Sequence, residues 1–522
     1  MSLRLAALIA FIGGFIALSF EILWFRVYGF TTGGTAPAFG VVLGSYLLGI
    51  ALGSVATRRF CTDRVRRGDV GLLRLPAVLI ASASFAGFAL VPVVAWAVTR
   101  VIWPWTLPGI ALFAGALGAV LPLVSHLGIA PDSHAGTRLS WLYMANIAGS
   151  TLGSLLTGFL LLDVLGVRGA SEVLCLLGLG AAGLLVWVSK PLRNQAIRWG
   201  VSLLLLGVGT VAAAGALYDG VWERLQFRTH YSGERFAHVI ENKSGVITVR
   251  KGGEIYGGGV YDGVFSTDLV HDKNMIIRAY ALAAYHPAPK EVLMVGLSSG
   301  SWAQVVANLP GVERLTVIEI NPGYVELIPL FPDAQSLLRN PKVTIVHDDG
   351  RRWLLAHPER KFDAIVMNTS WHWRAHATNL LGREFNELAK TRLNQGGTFQ
   401  YNTTSSVHVE RTGCEVFPFG FQLVNNVVLS NDPVAMDSAR WRSVLLDMRI
   451  DGKPVFDLSV PGHTKRLAEV LAVRPPGLAP EKPNPWLRSC ADVLVAHRAA
   501  QHPVVTEDNL LIEFSRPWYW TQ

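Results

Sequence analysis

Val292-Leu293-Met294-Val295-Gly296-Leu297-Ser298-Ser299-Gly300 reads as a buried strand running into a turn of small residues. A short apolar run bounded by glycine suits a strand covered on both faces. A second strand, Leu315-Thr316-Val317-Ile318-Glu319, ends on a carboxylate, and a third, Val343-Thr344-Ile345-Val346, leads into His347-Asp348-Asp349-Gly350. Strand, glycine turn, helix, strand and acid is the layout of a nucleoside-binding α/β domain. The same alternation predicts further strands near 363–368 and 396–401, with helices between, and so a parallel sheet.

Ligands of such sheets bind beyond the carboxyl ends of the strands. Gly296 and Gly300 let the backbone approach the ligand, with Ser298 and Ser299 between them. Glu319 is placed to accept both ribose hydroxyls, and Asp349 to take an adenine amine. Asn368-Thr369-Ser370-Trp371-His372-Trp373 closes the pocket after the fourth strand. The turn reads G-L-S-S-G-S, short of the phosphate-binding G-x-G-x-x-G, which favours a nucleoside without pyrophosphate, such as S-adenosylmethionine, over NAD.

Outward from this stretch the composition divides. The chain has 522 residues, 51% of them apolar and 16% charged, enough for two domains. Residues 1–218 hold seven apolar runs near the 20 residues needed to cross a bilayer, at about 5–28, 37–57, 73–98, 108–130, 141–162, 169–189 and 197–217. The first is too long for a signal peptide and lacks a small-residue cleavage site. Gly49 and Gly53, Gly115 and Gly118, and Gly149 and Gly153 are spaced for close helix packing. Glu21, His126 and Asn146 are polar residues inside these runs; Glu21 either makes an inter-helix hydrogen bond or a pair with Arg26, or faces a substrate.

The net charge of +8 is no nucleic-acid footprint, because no basic stripe interleaved with aromatics is present. Much of it sits between spans, at Arg58, Arg59, Arg64, Arg66 and Arg67, then at Lys190, Arg193 and Arg198. With seven spans these loops and Arg138 share one side, the cytoplasm by the positive-inside rule, which puts the polar half on the other side. The ligand argument instead puts that half in the cytoplasm; Trp103-Pro104-Trp105 is where a span would be miscounted. Cys61, Cys175, Cys414 and Cys490 have neither metal spacing nor a disulfide pattern, so free, mostly buried thiols are expected and no metal.

After Tyr218, residues 236–265 alternate and are rich in Gly, Val, Ile and Tyr, which predicts a small antiparallel β unit, followed by a helix over 273–285. Three segments are therefore expected: a multi-pass transmembrane domain at 1–218, a linker with a small β domain at 219–286, and a Rossmann-like nucleoside-binding domain at 287–522.

The polar half resembles the spermidine synthases (polyamine aminopropyltransferases), and the whole chain resembles their membrane-fused branch. The resemblance rests on Glu21-Ile22-Leu23-Trp24-Phe25-Arg26, Leu142–Gly149, Asp349-Gly350-Arg351-Arg352-Trp353-Leu354, Asn379–Phe385, Thr506-Glu507-Asp508-Asn509 and Glu513-Phe514. It implies a methyltransferase-like Rossmann fold after a β domain, and S-adenosylmethionine or its decarboxylated form as substrate. Gly296, Glu319 and Asp349 fall where the family holds adenosine. The chain departs from the family on the reacting side. Ser299 stands where the family turn has an aspartate that anchors the aminopropyl amine. Asn368-Thr369-Ser370-Trp371-His372 replaces D-S-S-D-P, and His271-Asp272-Lys273-Asn274-Met275-Ile276-Ile277 replaces D-E-x-x-Y-H-E. An amine nucleophile needs a base, and a dicationic polyamine needs carboxylates. Asn368, His372 and Asp262 are the catalytic candidates, with His271 a further substitute base; Asp262 matches the family's L-D-G turn. Trp371 and Trp373 are candidates to stack on adenine or face a cation.

Three functions fit. One is a membrane-bound transferase moving an alkyl, aminopropyl-type group from a sulfonium donor to an unknown acceptor. Another is intramolecular cleavage of S-adenosylmethionine to methylthioadenosine, a lyase-type reaction. The third is a non-catalytic nucleoside sensor or transporter. The expected setting is a cell inner membrane, with the lipid bilayer and a small-molecule substrate as partners, no nucleic acid, and homo-oligomerisation left open.

Overall fold

The computed structural model describes all residues except 62–69, 369–370, 476–477, 480–481 and 517–522. Arg64, Arg66, Arg67, Thr369 and Ser370 thus lie outside the described residues. The chain forms two compact units. The first holds Met1–Phe236 with Glu241–Val246, and the second Ala237–Ile240 with the described residues from Ile247 onward. The first unit runs past the position 218 suggested by hydropathy, because Trp222 and Leu225 of the helix Val221–Phe227 join its apolar core.

Among the described residues of the first unit, seven helices are long and apolar enough to cross a bilayer: Leu3–Thr31, Ala36–Phe60, Arg74–Ala97, Trp103–Gly128, Ala135–Val164, Gly166–Val188 and Arg193–Tyr218. Trp103-Pro104-Trp105 forms the tight first turn of the fourth, so that helix reaches its full length there. The glycines sit where backbones meet. A Cβ on Gly53 would collide with the carbonyl of Gly115, and one on Gly149 with that of Phe11. Close approach of this kind is how helices associate without a hydrophobic driving force. Asn146 donates to the Ala10 carbonyl at 3.1 Å, and Ser19 to that of Gly153 at 3.3 Å. The expected pairing of Glu21 with Arg26 does not form. Arg26 reaches instead to the carbonyls of Asn242 and Lys243, both at 2.7 Å, because its long fork satisfies two chain-turn acceptors at once. Glu21 is buried, and His126 Nε2 has no hydrogen-bond partner among the described residues.

The second unit begins with an antiparallel sheet of β1 (His238–Asn242), β2 (Gly245–Val249), β3 (Glu254–Gly257) and β4 (Val260–Val264), in that order; the tip of the β1–β2 hairpin counts with the first unit. The helix expected over 273–285 is two short pieces, Ile277–Tyr280 and Leu282–Tyr285. A large sheet follows, from β5 (Glu291–Val295), β6 (Arg314–Glu319), β7 (Val343–His347), β8 (Phe362–Met367), β9 (Leu393–Asn402), β10 (Phe419–Leu423) and β11 (Asn426–Ser430). β12 (Arg449–Ile450) and β13 (Lys453–Pro454) form a separate ribbon, and β14 (Leu487–Ser489) closes the large sheet in the order β14-β10-β11-β9-β8-β5-β6-β7. The pairs among β5, β6, β7, β8 and β9 are parallel, as the alternation of strands and helices requires. The sheet is nevertheless mixed, since β11, β10 and β14 add antiparallel strands.

Alternation along β5 explains its continuous apolar run. Val292 and Met294 enter one core cluster, and Leu293 and Val295 the other, so both faces are covered. Truncating Leu293, which is fully buried, costs about 2–5 kcal/mol. The expectation of four free thiols is overturned: Cys414 and Cys490, 76 residues apart, form a disulfide. The pair is brought together by packing of the helices Val407–Val416 and Cys490–Ala499, which spacing alone does not reveal. Cys61 and Cys175 are free.

Candidate functional site

The carboxyl ends of β5, β6 and β7 bring the nucleoside-side candidates into one region. Gly296 leaves β5 with φ +89° and Gly300 precedes the next helix with φ +72°, both left-handed. A side chain at Gly300 would also strike Ile328 at 2.5 Å, so glycine is required there. Ser298 holds φ +49° while its hydroxyl donates to the Asp262 carbonyl at 2.8 Å, which ties the turn to β4.

Glu319 ends β6 and is 4% exposed. Its Oε2 accepts from the Leu297 backbone N–H at 2.7 Å, and its Oε1 from that of Asn321 at 2.8 Å. The carboxylate therefore fastens the glycine turn to its own strand. Burial pushes its pKa up to about 7, against the pull of these N–H groups. Each oxygen keeps a further lone pair for a ligand hydroxyl. Asp349 follows β7 as the N-cap of the helix Gly350–Ala356, accepting from the Arg352 N–H at 2.8 Å through one oxygen. Ser299 is buried and its hydroxyl bonds to that of Ser301 at 3.0 Å, inside the start of the helix Ser301–Ala307. It is turned to local structure in the place where the resemblance implies an amine anchor.

Two of the reacting-side candidates, Asp262 and Asn368, line a cavity of about 340 Å³. Asp262, Arg278, Lys273, Asn368, Trp371 and Asn402 are among its lining residues. Asp262, in β4, accepts from the Tyr324 hydroxyl at 2.6 Å. Burial raises its pKa, opposed by the Tyr324 hydrogen bond and the charge of Arg374. Asn368, just past β8, accepts from Asn402 Nδ2 at 3.2 Å, and Asn402 in turn receives the Thr404 N–H at 2.8 Å. The floor is thus built by the end of β9 and the β10–β11 turn, through Thr404 and Asn425.

His372 is not among the residues lining this cavity. Its Nδ1 lies 2.7 Å from the Thr404 hydroxyl, and burial, with the charges of Arg516 and His408, pushes its pKa down to about 4. A ring so weakly basic is a poor acceptor for an ammonium proton. His271 is exposed, 2.5 Å from Asp268, and borders a different cavity. Trp373 is fully buried while Trp371 faces the cavity, their rings 6.3 Å apart. Glu21 and Asn146 belong to the helical unit. No group of metal-binding side chains occurs among the described residues.

Sequence reasoning missed Tyr324, Arg278, Asn402 and Thr404. Arg278 had a legible sign: an arginine inside the apolar run Met275-Ile276-Ile277-Arg278-Ala279-Tyr280 is a buried charge with a purpose. Its side chain is 4% exposed, and burial pulls its pKa down to about 10, leaving it charged at neutral pH. The other three follow strand ends that meet in space alone.

Residues 273–416 match the spermine/spermidine synthase domain family. A polyamine aminopropyltransferase of Mycobacterium tuberculosis (strain CDC 1551 / Oshkosh) is 27% identical over 306 residues, 55% of this chain and 56% of that one. The chain thus spans a little over half the length of that relative. One from Streptococcus pneumoniae serotype 4 is 33% identical over 119 residues, 23% of this chain and 41% of its own. Another, from Oceanobacillus iheyensis, is 22% identical over 400 residues, 74% of this chain and 75% of its own. Among solved structures, a spermidine synthase in complex with the transition state analogue AdoDATO matches with TM-score 0.33 and 16% identity, over 47% of this chain and 88% of that one.

Proposed function

We propose that this chain, spermidine synthase-like through residues 273–416, is a membrane-bound transferase that moves an alkyl, aminopropyl-type group from an adenosylsulfonium donor. The donor class is S-adenosylmethionine or its decarboxylated form. The observation that carries this reading is Glu319: a desolvated carboxylate at a strand end, bonded to the glycine turn and beside β7, which leads into Asp348 and Asp349. That is the arrangement a ribose requires. The curated relatives, named polyamine aminopropyltransferases, support an aminopropyl-type transfer.

The chemistry asks little of the leaving group. The acceptor attacks the carbon next to sulfur, the C–S bond breaks with its electron pair going to sulfur, and a neutral thioether, methylthioadenosine, departs. The chain must orient the two partners and take one proton from an amine acceptor. Asp262 is the group suited to that proton, since burial has raised its pKa, and Asn368 is suited to positioning. A second reading is favoured by the cavity's scarcity of acids: intramolecular cleavage, in which the donor's own carboxylate attacks and the products are methylthioadenosine and a lactone. It needs no external base. A nucleoside sensor or transporter predicts binding with no product at all.

The seven apolar helices support a multi-pass membrane protein. The Lys/Arg-rich loops and the Cys414–Cys490 disulfide both favour a second unit outside the cytoplasm, since disulfides persist in oxidising compartments. The supply of adenosyl donors favours the cytoplasm. A C-terminal alkaline phosphatase fusion decides: activity means outside, and silence with an active cytoplasmic reporter means inside. The function itself is tested by incubating the purified protein with each donor, alone and with polyamines or amino acids as acceptors. Methylthioadenosine only with an acceptor supports transfer, and methylthioadenosine without one supports cleavage. S-adenosylhomocysteine, or binding with no product, would overturn both.

A further inference from the structure

We infer that the cavity beside Asp262 and Asn368 takes the α-amino-acid end of a zwitterionic ligand, its carboxylate at Arg278 and its ammonium at Asp262. The inference rests on the adenosyl reading only for what lies next door; the cavity's own chemistry carries it. Arg278 lines the cavity and is 4% exposed. Its Nε donates to the Met275 carbonyl at 2.9 Å, and its Nη1 to Asn425 Oδ1 at 2.8 Å and Asn426 Oδ1 at 3.3 Å. Its Nη2 donates to the Asn274 carbonyl at 3.0 Å. All of these acceptors are neutral; the charge of the Asp272 carboxylate acts on the guanidinium, but Asp272 pairs with Arg466 at 3.6 Å and forms no salt bridge with Arg278 among the described residues. It packs 5.1 Å from the centre of the Trp302 ring.

A guanidinium has five N–H donors, so one Nη2–H is left for a ligand. A buried cation with no carboxylate in direct contact is costly, and a carboxylate entering the cavity would supply that contact through charge-assisted bonds, in addition to the field of Asp272. Lys273, an exposed cavity residue, adds a second positive charge. Against these two cations the cavity offers, among the described residues, one carboxylate, Asp262, on which the charge of Arg374 also acts. That balance opposes a polyamine dication and suits a group with one charge of each sign. Ser299, buried against Ser301, adds no acid to hold an amine elsewhere.

An amino-acid end has two sources: the methionine end of intact S-adenosylmethionine, or a separate amino-acid acceptor. Calorimetric titration of the full-length protein in detergent separates them. The probes are methylthioadenosine, S-adenosylmethionine, its decarboxylated form, and methionine added after methylthioadenosine. If the donor supplies the carboxylate, the intact donor binds about 10- to 150-fold more tightly than the decarboxylated one, the worth of a charged hydrogen bond. Arg278→Gln then abolishes the preference without changing methylthioadenosine affinity. If an acceptor supplies it, the two donors bind alike, methionine binds beside methylthioadenosine, and Arg278→Gln removes methionine. Lys273→Gln, at an exposed side chain, keeps the test decisive if the arginine variant does not fold; it should weaken the same preference or methionine binding roughly two- to fivefold. Equal donors with no methionine binding, or a preference indifferent to both substitutions, would overturn the inference. Failure of methylthioadenosine to bind would instead refute the adenosyl pocket, and Arg278-dependent methionine binding would still decide the cavity.

Discussion

Replacing Glu319 by Gln tests the nucleoside side of the site in a way that shape alone cannot mimic. The wild-type carboxylate meets two backbone donors, from Leu297 and Asn321, with two acceptor oxygens. A glutamine keeps one acceptor and turns an NH₂ toward the other donor. Ribose hydroxyls bonded to a carboxylate gain about 1–1.5 kcal/mol each over bonds to a neutral oxygen, so two of them imply a loss of about 2–3 kcal/mol, or roughly 30- to 150-fold in affinity. The pH dependence sharpens this. With a pKa of about 7 the carboxylate is mostly ionised at pH 8 and mostly protonated at pH 6, so wild-type affinity should fall about tenfold between them. The variant should be flat with pH and resemble the protonated wild type. Stability moves the opposite way. A raised carboxyl pKa means the folded state holds the proton longer, so Glu319 costs nothing at low pH and about 3 kcal/mol once pH has risen from about 4.5 past 7. The variant escapes that cost but leaves a buried N–H facing an NH₂, worth about 1–3 kcal/mol, so its melting point at pH 8 should change little. The assay is calorimetric titration with methylthioadenosine at pH 6, 7 and 8. Wild-type affinity independent of pH, or a variant that binds normally at pH 8, would refute the reasoning.

Asp262→Asn should lower turnover about 10²- to 10⁴-fold if it takes the acceptor's proton, with methylthioadenosine affinity unchanged; single-turnover rates with the donor check it. Since burial raises its pKa, the wild-type rate should climb with pH above the ordinary carboxylate range, and a flat profile would count against Asp262. Reducing Cys414–Cys490 removes a cross-link spanning 76 residues, worth about 4 kcal/mol by loop entropy, so thermal melting of the second unit should move down in dithiothreitol. An unchanged melting curve would contradict a structural disulfide.

The parts of this molecule legible in its sequence are those set by local periodicity. The seven apolar runs and the β5–β9 succession follow from hydropathy and alternation over a few residues, so their positions could be read directly. Glycines with positive φ at 296 and 300 announced themselves by residue type. Contacts between distant segments did not. The disulfide joins helices whose meeting depends on the antiparallel strands β10, β11 and β14, which no local pattern marked. The reading of His372 as a base failed to include Thr404, which holds the imidazole from a segment 32 residues away. Arg278 lay in plain view, but its neutral partners come from Met275 and Asn274 nearby and from Asn425 and Asn426 across the sheet.

The most direct test of alkyl transfer uses donors carrying a ¹³C label in the S-methyl group, followed by mass analysis of the nucleoside product. Transfer or cleavage through the propyl side leaves the methyl on sulfur, so the account predicts labelled methylthioadenosine, abolished or strongly reduced in Glu319→Gln. Unlabelled S-adenosylhomocysteine, with the label moved to an acceptor, would contradict it, as would a nucleoside that is bound and returned intact.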